Sequence, residues 1–311
     1  MDANATPSSS RSGWLARLRS LFAWEPMRHA AWEMFFFRAG IAWCAWPPVS
    51  RPLTFTKQPA PHGIAVWFDV TFCGNPQIIA WLAPLAAVCL LLYVFNIATV
   101  FTLVLPLALS FAMGALLNSQ GAINHTVQIT TVVLLSQWLA ALWCATLRRR
   151  RPLATGTLTN EQLAADWARQ AVMSTYVVSA ISKLIESGGL WFRDTHYFGL
   201  QIVKSSGMAK YGDTGPGNDV EWLAQYIINH PWVATILLGA SLPLELFAFL
   251  GVLNRRMALF FGISFYIFHS TVTQVMHLGF EYHKILLLVL FVNPLWWIAR
   301  GFQRRTINIG H

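Results

Sequence analysis

Apolar residues in this chain gather into long unbroken runs instead of alternating with polar ones. Eight such runs cover 30–48, 76–95, 98–117, 122–146, 164–187, 232–253, 257–276 and 280–299. Each is close to the roughly 20 residues that carry a helix across a hydrocarbon core about 30 Å thick. Lipid admits only helices or closed barrels, and the strict alternation of a barrel strand is absent. The pattern therefore predicts an all-α polytopic membrane helix bundle of about eight transmembrane helices. Pro47 and Pro48 are expected to end the first span, and Asn118 to Gly121 to make a tight outer turn.

Basic clusters lie at Arg11, Arg17 and Arg19, at Arg148 to Arg151, at Arg255 and Arg256, and at Arg300, Arg304 and Arg305. All four fall on one side if the chain begins in the cytoplasm and crosses eight times, which places both termini there. Residues 1–29 then read as a cytoplasmic tail, 30–299 as a single transmembrane domain and 300–311 as a short basic cytoplasmic tail. The first 22 residues lack the apolar core of a signal peptide. Segments 49–75 and 188–231 face outward. The second holds the turn Gly212 to Asp219 and amphipathic stretches near Trp191 to Val203 and Val220 to Ile228. These are read as interfacial helices in the headgroup layer, with a lid over a site as the alternative. No inverted repeat of the transporter kind is evident.

Composition agrees: 55% of residues are hydrophobic and 11% charged, against about 25% charged in an ordinary soluble domain. The net charge of +9 sits between the apolar runs, so it reads as a topology signal, and nucleic acid is not an expected partner. Cys44, Cys73, Cys89 and Cys144 form no CxxC pair, which disfavours a disulfide framework or a thiolate metal site.

Ionisable groups within lipid are costly and mark the bundle interior. At a rise of about 1.5 Å per residue they separate into two layers. Arg38, Arg169 and Glu245, on the first, fifth and sixth spans, have the composition of a structural ion network. His125, Lys183 and His269 converge nearer the outer face, with Asn124, Tyr176, Gln274, Glu281, His283 and Lys284 at similar depth. A lysine partly buried among apolar and cationic neighbours loses preference for its charged form, which makes it a usable general base. Each residue alone has a plainer reading: Lys183 snorkels, His269 satisfies a carbonyl, His125 caps a helix. Their convergence favours a site. His277, His283, His269 and Glu281 lack a metal-binding spacing on one helical face, so no metal is expected.

Three stretches carry a resemblance. Asn124-His125 opens a span in AINHTVQ; Arg169 and Tyr176 precede Ser179-Ala180-Ile181-Ser182-Lys183-Leu184; and FHSTVTQVMHLG supplies His269, Gln274 and Gly279. From Phe35-Phe36-Phe37-Arg38-Ala39-Gly40 to the final span, the chain resembles the membrane domain of the vitamin K-dependent gamma-glutamyl carboxylase family. That family includes the bacterial proteins grouped as the horizontally transferred transmembrane domain.

The resemblance implies a reduced-quinone (vitamin K-like) cofactor and a lysine base at Lys183, with His125 and Asn124 stabilising anionic oxygens. His125, Lys183 and His269 become the candidate catalytic residues. Asn124, Tyr176, Gln274, Glu281 and Trp191 become candidate contacts for substrate or quinone. It also implies an inner-membrane protein of bacterial type with its site facing the periplasm. The departures are Ser182 where the family has the first lysine of a pair, and charges at Glu281, His283 and Lys284 where apolar neighbours are expected. The carboxylases also carry a soluble peptide-gripping domain after the membrane part, whereas this sequence ends at His311 after a basic tail. Glutamate carboxylation is thus the least expected part of the chemistry.

The leading expectation is a quinol-linked membrane enzyme, carboxylase-like or epoxidase-like, acting on a peptide or small amphipathic substrate, surrounded by membrane lipids and open to a separate soluble partner protein. The alternatives are a non-enzymatic scaffold, immunity or assembly factor, and a carrier of an amphipathic molecule.

Overall fold

The computed structural model describes residues 19–54, 63–120, 125–148, 159–194, 198–211, 221–276 and 278–309. The long helices are α1 (Ala31–Ser50), α2 (Pro76–Val94), α3 (Thr99–Ser119), α4 (His125–Leu147) and α5 (Asn160–Glu186). After them come α6 (Phe198–Tyr211), α7 (Glu221–Asn229), α8 (Pro231–Leu246), α9 (Arg255–Met276) and α10 (Glu281–Gly301). The protein is all-α in its described residues. Five helices, α2, α3, α4, α9 and α10, are long and apolar enough to cross a membrane, the build of an integral membrane protein.

Helix starts follow local chemistry. Asn75 accepts backbone hydrogen bonds from Gln77 and Ile78, and Pro76 occupies the first turn of α2, where its missing N–H costs nothing. Thr159 and Gln162 form a reciprocal capping box at the head of α5. The first helix departs from expectation: α1 runs through Pro47 and Pro48 to Ser50 before Arg51 turns extended. Each proline removes one N–H but holds φ near the helical value, so the last turn tolerates both. The last helix departs too. A π-helical turn at Leu288–Val292 leads to Asn293 with φ of 45°, and a new helical stretch begins at Pro294.

Successive long helices run antiparallel, as their end contacts show. At the end where α1, α3, α5 and α9 begin, Arg38 donates to the Val94 carbonyl at 2.9 Å and Asn96 to Glu161 at 2.8 Å. Asn254 there donates to the carbonyls of Leu21 and Ala23. At the opposite end, where α4, α8 and α10 begin, the Thr126 hydroxyl donates to the Gly279 carbonyl at 3.1 Å. The central core joins α1, α4, α5, α9 and α10 through Phe37, Ile41, Val133, Val172, Phe265 and Leu287. A separate small cluster of Ile202, Ile227 and Ala234, with Val275 against it, holds α6 and α7 onto α8 and the end of α9.

Candidate functional site

One face of α5 organises the interior. Tyr176, Ser179 and Lys183 stand three and four residues apart, so they stack on the same side of the helix. From its top, the Lys183 ammonium donates to both oxygens of Glu245 on α8, at 2.7 and 2.6 Å. The carboxylate is dry, with a side chain 4% exposed, while the lysine side chain is 24% exposed. Ser179 stands beside the same carboxylate. Trp191, in a one-turn helix at Trp191–Asp194, places its ring 5.5 Å from the same ammonium. Its indole nitrogen is buried without a hydrogen-bond partner.

Two helical turns below Lys183, the Tyr176 hydroxyl lies 2.8 Å from Nε2 of His269 on α9. Its ring stacks on Phe265 with centroids 3.8 Å apart. His269 stacks in turn on Phe280 at 4.4 Å and stands 5.1 Å from the ring of His283. Phe280 also runs nearly parallel to His125, centroids 6.3 Å apart. His125, His283, Lys183 and Lys284 all lie within electrostatic reach of His269. Nδ1 of His269, Nδ1 of His283 and the Thr273 hydroxyl are buried and lack a hydrogen-bond partner. Buried polar atoms of this kind are uncommon in native interiors.

The sequence candidates separate accordingly. Lys183, Tyr176, Trp191 and His269 line one connected interior region, with His125 at its rim. His125 is exposed and is the first described residue of α4. Gln274 and Glu281 are exposed. Asn124 and His277, like the Gly212 to Asp219 turn, lie outside the described residues. Among the described residues no group of three or more His, Cys, Asp or Glu is placed to hold a metal ion.

Arg38, Arg169 and Glu245 do not form the single ion network expected of them. Arg38 pairs with Glu161 at 3.2 Å. Arg169, almost completely buried, pairs with Asp166 and lies 2.7 Å from the Met27 sulfur. Glu245 belongs to Lys183. Counting depth along each span separately ignores reach: a lysine side chain extends several ångströms and aims back toward the helix start, so Lys183 meets a carboxylate that its own position would not predict. Sequence reasoning gave no role to Phe280, Thr273 or Ser179, and it placed Glu245 in the structural ion network instead of beside Lys183. The signal for Ser179 was its spacing from Tyr176 and Lys183, and for Thr273 its position one turn beyond His269. Glu245 had the signal of an opposite charge on a neighbouring span.

The chain matches no family model, no curated protein and no solved structure.

Proposed function

We propose that this is a quinol-linked membrane enzyme resembling the vitamin K-dependent carboxylases, with Lys183 as general base and His269 and His125 as partners. The observation that carries the reading is the convergence of Lys183, Tyr176, His269 and His283 around aromatic faces, with buried nitrogens left unpartnered. These residues fit a flat ring bearing oxygen atoms. Phe280 and Trp191 offer apolar faces, while Nδ1 of His269, Nδ1 of His283 and the indole of Trp191 offer polar contacts. A reduced naphthoquinone supplies, when bound, an ionisable hydroxyl and the electrons that reduce dioxygen.

The chain's own groups do the rest. Lys183 accepts the hydroxyl proton at Nζ. His269, buried and held by Tyr176, and His125 at the rim orient and stabilise negative oxygen. Segment 188–194 covers Lys183 through Trp191 and packs Phe192 against Gly239 of α8, which supports the lid reading for this stretch. The same reading takes eight crossings with both termini cytoplasmic and the site toward the periplasm. The three crossings beyond the five long apolar helices are α1, α5 and α8, whose ends alternate in step with the others.

The test is turnover of a reduced naphthoquinone under oxygen by protein in lipid nanodiscs, wild type against Lys183→Arg. Arginine preserves the charge pairing with Glu245 but stays protonated, so it removes base function alone. The expected outcome is a folded variant with turnover reduced by about 10²-fold or more. Equal turnover in the two proteins overturns the mechanism. Unchanged behaviour in every assay after substitution of His125, Lys183 and His269 together points to the scaffold instead.

A further inference from the structure

We infer that Glu245 is the proton-holding partner of Lys183, the group that converts the resting ammonium into the amine a base requires. The inference rests on the reading of Lys183 as the base. As it stands in the structure, the ammonium spends two hydrogens on one carboxylate, at 2.7 and 2.6 Å, and a fully protonated amine accepts nothing. The pair has to be neutralised before the lysine acts.

The surroundings favour that transfer. Glu245 is 3% exposed, and in a dry interior two opposite charges that vanish together relieve the desolvation of both. Among the groups around the pair, α5 brings Tyr176 and Ser179, α9 brings His269, and the segment after α5 brings Trp191. None of these carries a permanent charge to hold Glu245 ionised once the ammonium is gone. Lys284, His283 and His125 gather around His269, while Glu245 interacts with the Lys183 charge and with Tyr176. Arg169, two turns below Tyr176 on α5, is occupied by Asp166.

The step is a single proton transfer. One N–H bond of Lys183 breaks, its electron pair remaining on nitrogen as the lone pair, and an O–H bond forms on Glu245; both formal charges disappear. The amine then takes a proton from the substrate hydroxyl, regenerating the ammonium beside the substrate oxyanion. Glu245 is thus a positioning and proton-storing residue that acts through Lys183.

The consequence is measurable without turnover: when position 183 is uncharged, Glu245 holds a proton at neutral pH. Infrared difference spectra of Lys183→Met against Lys183→Met/Glu245→Gln in nanodiscs read this directly. The expected result is a carboxylic-acid band belonging to Glu245 at neutral pH. A carboxylate band at neutral pH, as a merely structural counter-ion with water access would give, overturns the inference. Should Lys183→Met fail to fold, acetylation of Lys183 in the folded wild-type protein leaves the same uncharged neighbour, and the band is sought there. A Glu245 carboxylic-acid band together with wild-type turnover in Lys183→Arg supports the proton-sharing pair and rejects the catalytic reading. A carboxylate band with turnover lost in Lys183→Arg does the opposite.

Discussion

Lys183 shows how a single contact changes the meaning of a substitution. Truncating it to alanine removes the buried partner of Glu245, a change worth about 3–5 kcal/mol in comparable settings, and loss of activity would then report misfolding as much as chemistry. This is why arginine is the informative replacement. At the other end of the bundle, His29 makes the same point about burial. Its side chain is 2% exposed and its Nδ1 lies 3.4 Å from Glu33. Glu33 also accepts from the backbone of Ala30 at 2.7 Å and from Asn293 at 2.6 Å. Burial lowers the His29 pKa from its usual 6.5 more than the Glu33 contact raises it, and the Arg169 charge lowers it further. The folded chain therefore refuses a proton that the unfolded chain accepts. The His29 contribution to stability is complete above about pH 6.5 and is lost as the pH falls below that value toward the folded pKa, by at most ~1.4 kcal/mol per pH unit. Apparent melting temperatures in detergent, measured from about pH 7.5 down to about pH 5.5, are expected to fall more steeply for wild type than for His29→Gln. Parallel curves would show that His29 does not titrate on unfolding.

Helices are where the sequence was most readable and where its limits are most physical. Runs of apolar residues located every long helix, because length and hydropathy are properties of one segment. The breaks inside helices were not legible. The π-helical turn at Leu288–Val292 and the left-handed Asn293 depend on partners elsewhere: Asn293 donates to Glu33 of α1 and its side-chain oxygen caps Trp296. Two glycines on other helices make room for that turn. A Cβ at Gly40 of α1 would stand 2.9 Å from Val289, and one at Gly262 of α9 would stand 2.7 Å from the Cβ of Phe291. The close approach of α9 to α10 thus requires a residue without a side chain, as membrane helix pairs commonly do. Gly262→Ala is expected to force the two helices apart and destabilise by about 1–3 kcal/mol, read as a lowered melting temperature. Gly301→Ala, with open space at its Cβ position, serves as the control. Equal melting temperatures for both variants would mean that the contact relaxes freely. The site falls between these cases: Tyr176, Ser179 and Lys183 were legible as one face of α5, while Glu245 as their counterpart required knowing how α8 meets α5.

Across the whole molecule, charged and histidine side chains inside the bundle pair at two levels, with the buried Ser110 to Thr131 hydroxyl contact apart from both. One level joins Arg38 to Glu161 and His29 and Asn293 to Glu33; the other joins Lys183 to Glu245 and Tyr176 to His269. The first level adjoins the helix ends that carry Arg255, Arg256 and Arg300, and the Arg255 and Arg300 guanidiniums lie 3.9 and 4.9 Å from the ring of Trp296. On the proposed orientation this rim of arginine and tryptophan faces the cytoplasm, where positive charge is retained during insertion. That bias was readable from sequence alone, because it depends on charge count and not on contacts. The two ends of α5 test it. Asn160, at its start, and Glu186, at its finish, are both exposed, and the 27-residue helix between them spans roughly 40 Å at the α-helical rise. A membrane-impermeant thiol reagent added to intact bacterial cells with a permeabilised outer membrane is expected to label Glu186→Cys at once. Asn160→Cys is expected to react only after the inner membrane is opened. Labelling in the reverse order would invert the protein and move the Lys183 site to the cytoplasmic side, and labelling of both from outside would remove α5 from the set of crossings.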